Sequence, residues 1–418
     1  MEVKLERIFK KGKYILSNLL ISFFAICLSS GVNAEGVKFG FMIGYTGDYA
    51  AWAPPLDNAA KLAIEEINNA GGVNGEKVEL VIEDNLSTIE GSVKGARKLI
   101  DVHKVPVIVG PESDPLVAII QMARDNKVPV ITSSAGTQAI DKEGGTGKYI
   151  YRVNASDSFL GVAYAKVIIE TLNKKKIGLF VENLEGTMSA GDTFTRNFSR
   201  FGGEVAKTVT LTPGANSYYN ELAEMEKSGV DTVLIAAGQT TGVTLFKQMY
   251  SRGYDWTICV TTDLQTDDFV AGAGNEATQD VFALVPGQVE SEESWQRFSG
   301  LYEAKFGEKP VSGYYQAETY DAIMVTALAM QASGGFTGKG VDDNMIKIAT
   351  PGGKMVRSYE DGVKELATGN DIDYHGASGN INYNEFGNAG APAIRLLKVN
   401  SGEWVVSEVI DSGAFPPS

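Results

Sequence analysis

Short, almost wholly apolar runs alternate with longer amphipathic stretches from residue 37 to residue 260, and this rhythm restricts the fold more than any other feature. Residues 37–43 read as a strand. Residues 56–69 follow as an amphipathic helix, which Asn69-Ala70-Gly71-Gly72 stops. Residues 78–83 are the next strand and 89–102 the next helix; 105–109 and 128–132 are strands apolar enough to be buried on both faces. After a break come helix 158–172, strand 176–181, helix 189–201, strand 204–211, helix 217–228, strand 231–236, helix 242–252 and strand 257–260. Repeated strand–helix–strand units need the right-handed crossovers of open parallel sheets with helices on both faces.

The break matters as much as the rhythm. Residues 149–154 (Tyr-Ile-Tyr-Arg-Val-Asn) read as a strand carrying the chain from one sheet to another, and residues 281–286 as a strand returning it. Helices at 292–306 and 314–332 complete the first lobe, and the Gly-rich tail from Gly376 crosses a third time. The expected fold class is α/β: two Rossmann-like lobes joined by a three-strand hinge. Lobe 1 comprises residues 35–153 plus 286–375, and lobe 2 residues 154–285 plus 376–418. A multiply crossed hinge lets two lobes open and close without separating.

The first 34 residues stand apart. Lys4, Arg7, Lys10, Lys11 and Lys13 precede an apolar core of about fifteen residues, shorter than a spanning helix, and Val32-Asn33-Ala34 supplies a small-x-Ala cut. This is a secretory signal, cleaved after Ala34, and it places the working protein in the periplasm. The segment carries five Lys/Arg and two Asp/Glu, so its removal takes the formal net charge from −15 to −18. Such a surface repels nucleic acid. Cys27 leaves with the signal and Cys259, in an apolar run, reads as a small core residue. His103 and His375 lie far apart with no ligand-spaced partners, so no metal is expected. No G-x-S-x-G elbow is present, and the Gly144–Lys148 tract lacks the first glycine and the Ser/Thr of a phosphate loop. No catalytic residue, enzyme activity or cofactor is expected.

Specific motifs then narrow the reading. Tyr45-Thr46-Gly47-Asp48-Tyr49-Ala50-Ala51-Trp52 leads into a helix ending Ala63-Ile64-Glu65-Glu66-Ile67-Asn68-Asn69-Ala70-Gly71-Gly72-Val73-Asn74-Gly75. Glu83-Asp84-Asn85, Val109-Gly110-Pro111-Glu112-Ser113, residues 128–137 and Gly376-Ala377-Ser378-Gly379-Asn380-Ile381, with Gly387 and Trp404, come after it in order. The set resembles the branched-chain amino-acid-type (Leu/Ile/Val-binding-protein-like) periplasmic solute-binding proteins of ABC importers. That resemblance implies a type I periplasmic-binding-protein fold, a ligand held between the lobes, and an importer permease as partner. A monomer is expected. It also implies ligand contacts from Trp52, Ser113, Ala135 and Thr137, an acidic contact that Asp263 can supply, and an aromatic on the loop after strand 176–181. Residues 184–189 (Leu-Glu-Gly-Thr-Met-Ser) offer no such aromatic.

The same positions have a physical reading. Asp114 reads as an N-cap with Pro115 at the first helical position, so Ser113 lies where unpaired N–H groups favour an anion. Residues 133–137 sit at the carboxyl edge of a strand, where open sheets bind ligands, and the hydroxyls of Ser134 and Thr137 with nearby N–H groups suit a carboxylate. Asp263 opposite would hold an ammonium group, and Trp52 would cover the apolar part of the solute. Gln239 faces the cleft from the second lobe. Tyr315 either reaches the pocket or anchors the helix after it, and Asp157 reads as the cap of helix 158–172. The solute expected is an amino acid, with a non-amino-acid carboxylate or an amide, or a sensory module serving a separate membrane receptor, as alternatives.

Overall fold

A computed structural model describes residues 36–141, 148–384 and 387–416. The proposed signal and most of the Gly144–Lys148 tract lie outside the described residues. β1 (Val37–Ile43), β2 (Val78–Asp84), β3 (Ile108–Val109), β4 (Val130–Thr132) and β5 (Ile150–Arg152) form one sheet, parallel throughout, in the order β2-β1-β3-β4-β5. β6 (Lys176–Glu182), β7 (Glu204–Leu211), β8 (Thr232–Ala236), β9 (Thr257–Val260) and β10 (Phe282–Gly287) are the parallel part of a second. A small sheet, β11 (Lys354–Val356), β12 (Ile372–Gly376) and β13 (Gly379–Asn380), stands apart. β14 (Ala393–Asn400) and β15 (Glu403–Asp411) then extend the second sheet beyond β10 in antiparallel fashion. Their reversal comes from the turn between them, where Ser401 at φ 54° and Gly402 at φ 87° take the left-handed conformations of a tight hairpin.

The helices packed around these sheets include α1 (Ala53–Asn69), α2 (Ser113–Asn126), α3 (Asp157–Lys166), α4 (Glu185–Arg200), α5 (Gln239–Arg252) and α6 (Gln316–Ser333). α6 is buried at every position from Gln316 to Met330, which explains why its sequence shows no amphipathic stripe. It packs against α1 in the core of the first lobe.

The chain passes between the sheets three times. The first passage leaves β5, and the second leaves β10, whose Pro286 and Gly287 still pair with Ile394 and Ala393 of the second sheet. The third comes within residues 384–392, later than the Gly376 expected. The delay has a local cause: the Asp321 carboxylate on α6 accepts from the Ala377 N–H at 2.9 Å and the Ser378 N–H at 2.7 Å, which holds that segment to the first lobe. Passages one and three are tied together, since Arg152 N–H donates to the Gly387 carbonyl (3.0 Å) and Ala389 N–H to the Arg152 carbonyl (2.9 Å). The Arg152 guanidinium, fully buried, donates to the carbonyls of Gly136 (3.0 Å) and Thr137 (3.1 Å) and pairs with Asp141. Arg395, on β14 just beyond the third passage, reaches the Gln288 carbonyl of the second at 3.4 Å and Glu290 at 2.7 Å.

Candidate functional site

The carboxyl ends of the parallel strands in both sheets face one cavity of about 290 Å³. This is where open α/β sheets bind ligands, because loops leave the strands there and helix N-termini point back toward the edge. The loop after β1 brings Asp48, Tyr49 and Trp52; the turn after β3 brings Glu112, Ser113 and Asp114; the turn after β4 brings Ser134 and Gly136. From the second sheet come Leu184, Gly186 and Thr187 after β6, Gly238 after β8, and Thr261, Thr262 and Asp263 after β9. One face of α3 adds Asp157, Leu160, Gly161 and Tyr164. Tyr315 comes in just before α6, held at φ 56°, a left-handed conformation costly for a bulky side chain. It therefore both caps the helix and lines the cavity.

Three buried polar atoms here lack a hydrogen-bond partner: Trp52 Nε1, Ser134 Oγ and Asp157 Oδ2. Buried polar groups are ordinarily paired, so an unmatched trio around one cavity marks where a ligand belongs. Asp157 is not the cap of its helix. Ser156 is, its Oγ accepting from the Phe159 N–H at 3.2 Å, which frees the Asp157 carboxylate one residue later. Gly136 makes room for it, since a Cβ there would lie 2.2 Å from Asp157 Oδ1. Burial pushes the Asp157 carboxyl up to about 7, against the pull of the Ser189 hydroxyl and Arg152. Burial likewise lifts Glu112 to about 7, although its oxygens accept from the Gly44 N–H (2.8 Å) and Asn85 Nδ2 (2.7 Å). Asp263 is raised by burial too, with one oxygen accepting from the Thr261 hydroxyl at 2.9 Å.

A family model described as periplasmic binding protein matches residues 36–366. This chain belongs to that family. A leucine-, isoleucine-, valine-, threonine- and alanine-binding protein of Pseudomonas aeruginosa is 26% identical over 330 residues, covering 78% of this chain and 86% of that protein. Among solved structures, a leucine-binding protein, LivK, of Thermotoga maritima superposes with a TM-score of 0.78 at 23% identity, covering 91% of this chain and 100% of that one. A solute-binding protein of an ABC transporter from R. palustris, in complex with benzoate, gives 0.72 at 19% identity, covering 90% and 96%. These structures share the two-lobed fold with the present chain.

The binding protein divides its sequence-predicted site residues into two groups. Trp52, Ser113, Ser134, Asp263 and Tyr315 line the cavity. Ala135, Thr137 and Gln239 lie behind it and are used by the protein itself. The Ala135 N–H donates to Thr132 Oγ1 at 2.8 Å. Thr137 Oγ1 accepts from the Ala139 N–H (3.0 Å) and donates to Glu185 on the opposite lobe (2.8 Å), while its N–H donates to Ser113 Oγ at 3.4 Å. Gln239 donates to the Asp263 carbonyl at 2.6 Å and accepts from the Thr266 hydroxyl at 3.1 Å, so it positions the Asp263 loop.

Asp114 also differs from its expected role. Glu112 is the N-cap position of α2, and the Asp114 carboxylate instead accepts from the N–H groups of Glu185 (2.8 Å) and Gly186 (3.2 Å), at the start of α4 in the other lobe. α4 has no cap of its own at Leu184, and with one supplied across the cleft it begins at Glu185 rather than 189. Asp48, Glu112, Asp157, Tyr49 and Tyr164 are cavity residues to which the sequence assigns no ligand role. Only the α3 group carries a usable signal, because Asp157, Leu160 or Gly161, and Tyr164 share one helical face. That face also answers the missing aromatic after β6: Tyr164 supplies the second lobe's aromatic wall from a different element.

Proposed function

We propose that this periplasmic binding protein captures a small organic solute with an amino group, of the amino-acid class, and delivers it to an ABC importer. The observation that carries the reading is the cavity between the sheets, lined by Asp157 and Asp263 from the second-lobe side and by Trp52, Tyr49 and Ser134 from the first. Residues 35–153 with 286–375 act as one lobe and residues 154–285 with 376–418 as the other, with two boundaries moved: Pro286 and Gly287 stay with the second lobe, and Ala377 and Ser378 with the first. Closure buries the solute, and a ligand that touches both lobes only when they are shut shifts the population toward the closed form. Export through residues 1–34, cleaved after Ala34, puts the protein where its permease waits. The role is carriage rather than catalysis: among the described residues that line the cavity, no nucleophile is paired with a histidine or lysine base. The names of the relatives, including one that binds leucine, isoleucine, valine, threonine and alanine, support the amino-acid class.

A thermal-shift screen tests this. The refolded, solute-free protein is exposed to amino acids, amines, aliphatic and aromatic carboxylates and small amides. A micromolar binder at millimolar concentration adds about 4 kcal/mol, a rise of several degrees. Release of the compound unchanged, at a stoichiometry of one, supports a carrier; turnover overturns it. Asp263→Ala is expected to weaken an amino-group ligand far more than its deaminated analogue, and equal losses would remove Asp263 as the ammonium partner.

A further inference from the structure

The charge of the cavity is one-sided. Six carboxylates line it, Asp48, Glu90, Glu112, Asp114, Asp157 and Asp263, and no Lys, Arg or His does. Among the described residues none of the six forms an ion pair. Four accept from neutral donors: Asp48 from Thr240, Asp114 from the start of α4, Glu112 from the Gly44 N–H and Asn85, and Asp263 from the Thr261 hydroxyl. Asp157 is different: its side chain is in a residue only 7% exposed, it lines the cavity, and Oδ2 meets no donor. A buried carboxylate oxygen without a donor is a costly arrangement that a bound cation would relieve.

Most of the groups expected to welcome a solute carboxylate are committed elsewhere. The Ala135 and Thr137 N–H groups donate to Thr132 Oγ1 and Ser113 Oγ, and the Thr137 hydroxyl donates to Glu185. Trp52 Nε1 and Ser134 Oγ are left without a partner, and the Ser113 hydroxyl accepts from the Thr137 N–H; all three are neutral groups, suited to a hydroxyl, ether or amide oxygen. Around them stand the rings of Tyr49, Trp52, Tyr164 and Tyr315, and aromatic faces attract cations. The rest of the lining carries no charge: it is apolar or small, as at Leu56, Leu160 and Gly161, or hydroxylic, as at Thr187, Thr261 and Thr262.

The geometry points to a solute of net positive charge: a protonated or quaternary amine on a compact, partly apolar body, with Asp157 and Asp263 as its charge partners. This rests on the carrier reading and departs from its amino-acid class, because a zwitterion would bring an uncompensated negative group among six carboxylates. Two like charges about 6 Å apart at an effective dielectric constant of about 20 differ from the neutral case by roughly a hundredfold in affinity.

Calorimetric titration of protein exported from cells expressing the full-length chain, freed of co-purified solute, decides the matter. The probes are matched sets on one body each: isoamylamine, leucine and 4-methylpentanoate; phenethylamine, phenylalanine and 3-phenylpropanoate; with cadaverine and lysine as further cations. The expected result is that a cation binds roughly a hundredfold more tightly than the zwitterion or anion of its body. Asp157→Asn is expected to weaken that cation by roughly thirtyfold, the scale of truncating one partner of a buried charge pair. Asp263→Asn serves as the independent second variant, with an unchanged circular-dichroism spectrum as the folding control. Leucine or phenylalanine binding as tightly as its amine overturns the inference and leaves the carrier reading standing. Tighter binding of the anions overturns the inference and removes the ammonium partner as well. Silence across all these probes overturns the inference, while the wider solute screen still decides the carrier reading.

Discussion

The rim where the lobes meet and the cavity behind it are built from adjacent residues, yet they treat their polar groups in opposite ways. On the rim, donors meet acceptors across the cleft. Thr240 donates to Asp48, the α4 N-terminus donates to Asp114, Thr137 donates to Glu185, and the Gln138 N–H donates to Ser189 Oγ at 2.8 Å. In the cavity, Trp52 Nε1, Ser134 Oγ and Asp157 Oδ2 find no partner. Since burying an unmatched polar group costs on the order of 1–3 kcal/mol, the contrast separates groups the lobes satisfy for each other from groups left open to the proposed solute. Two residues apart in sequence, Thr137 and Ala135 serve the frame, while Ser134 and Gly136 face the ligand space.

The largest effect should come from the cavity. Trp52→Ala removes a ring and a free donor together, and truncating a buried aromatic at a binding centre lowers affinity by roughly a hundredfold or more. Trp52 also belongs to the first lobe's hydrophobic core, so the melting temperature falls with it. Trp52→Phe separates the two: the wall persists, Nε1 is lost, and affinity for a solute bearing a hydroxyl or amide drops by about tenfold. A purely hydrocarbon amine should barely notice. Equal losses for both solutes would mean that Nε1 does not face the ligand.

Rim variants should behave differently in kind. Asp114→Ala leaves α4 uncapped, a cost of about 1 kcal/mol, which falls on the closed state alone. Apparent affinity for every solute then drops by the same factor, roughly fivefold, because only the closed fraction changes. Affinity measured for two chemically distinct ligands checks this. If Asp114→Ala altered the ratio between them, the division into rim and recognition surface would fail.

Acidity sharpens the contrast from another side. Burial lifts Asp157 and Glu112 to about 7 in the free cavity. Asp157 is faced by Arg152, Asp141, Asp263 and Ser189, and Glu112 by Asn85, Asp84 and the Gly44 N–H. A bound cation favours their ionised forms, so binding releases protons, and affinity should fall about fivefold between pH 8 and pH 6. Stability of the free protein should move the other way. A carboxyl whose pKa is raised on folding binds its proton more tightly in the native state, so stability rises as pH drops from about 8 toward the ordinary carboxylate range. Glu318, lifted to about 8, and Asp321, to about 6, add to this from α6, outside the cavity lining. Melting temperature and affinity measured over one pH series should therefore diverge. Parallel trends would assign the titration to the scaffold alone.

How much of this is legible in the residues alone obeys the same division. The strand–helix rhythm places the parallel strands, because buried strands and amphipathic helices are written in local periodicity. Passage three comes later than its Gly-rich signal at Gly376, since Asp321 holds that segment from 56 residues away. α4 begins early, at Glu185, for a similar reason, its cap being Asp114, 71 residues distant. At the site, Trp52, Ser113 and Ser134 are legible as loop residues at strand ends. Whether a hydroxyl or N–H is free for ligand is beyond sequence, because Thr137 is claimed by Glu185 and Ala135 by Thr132. The role of Asp157 is hidden by its neighbour: with Ser156 and Asp157 both able to cap α3, nothing local says which of them turns inward.

The smallest expected effect tests whether the rim is one latch or several independent contacts. Thr240 donates its hydroxyl to Asp48 at 2.5 Å, at a solvent-exposed position. Thr240→Val keeps the shape and removes the donor. An exposed substitution of this kind is worth within about 0.5 kcal/mol, so affinity should fall by no more than about twofold. The double variant with Asp114→Ala then carries the information. If the two contacts close the lobes independently, their effects on affinity multiply, as sites without shared partners do. If Asp48 engages Thr240 only after the Asp114 carboxylate has seated α4, Thr240→Val should have no further effect in the Asp114→Ala background. Closure would then start at the buried cap and finish at the exposed edge.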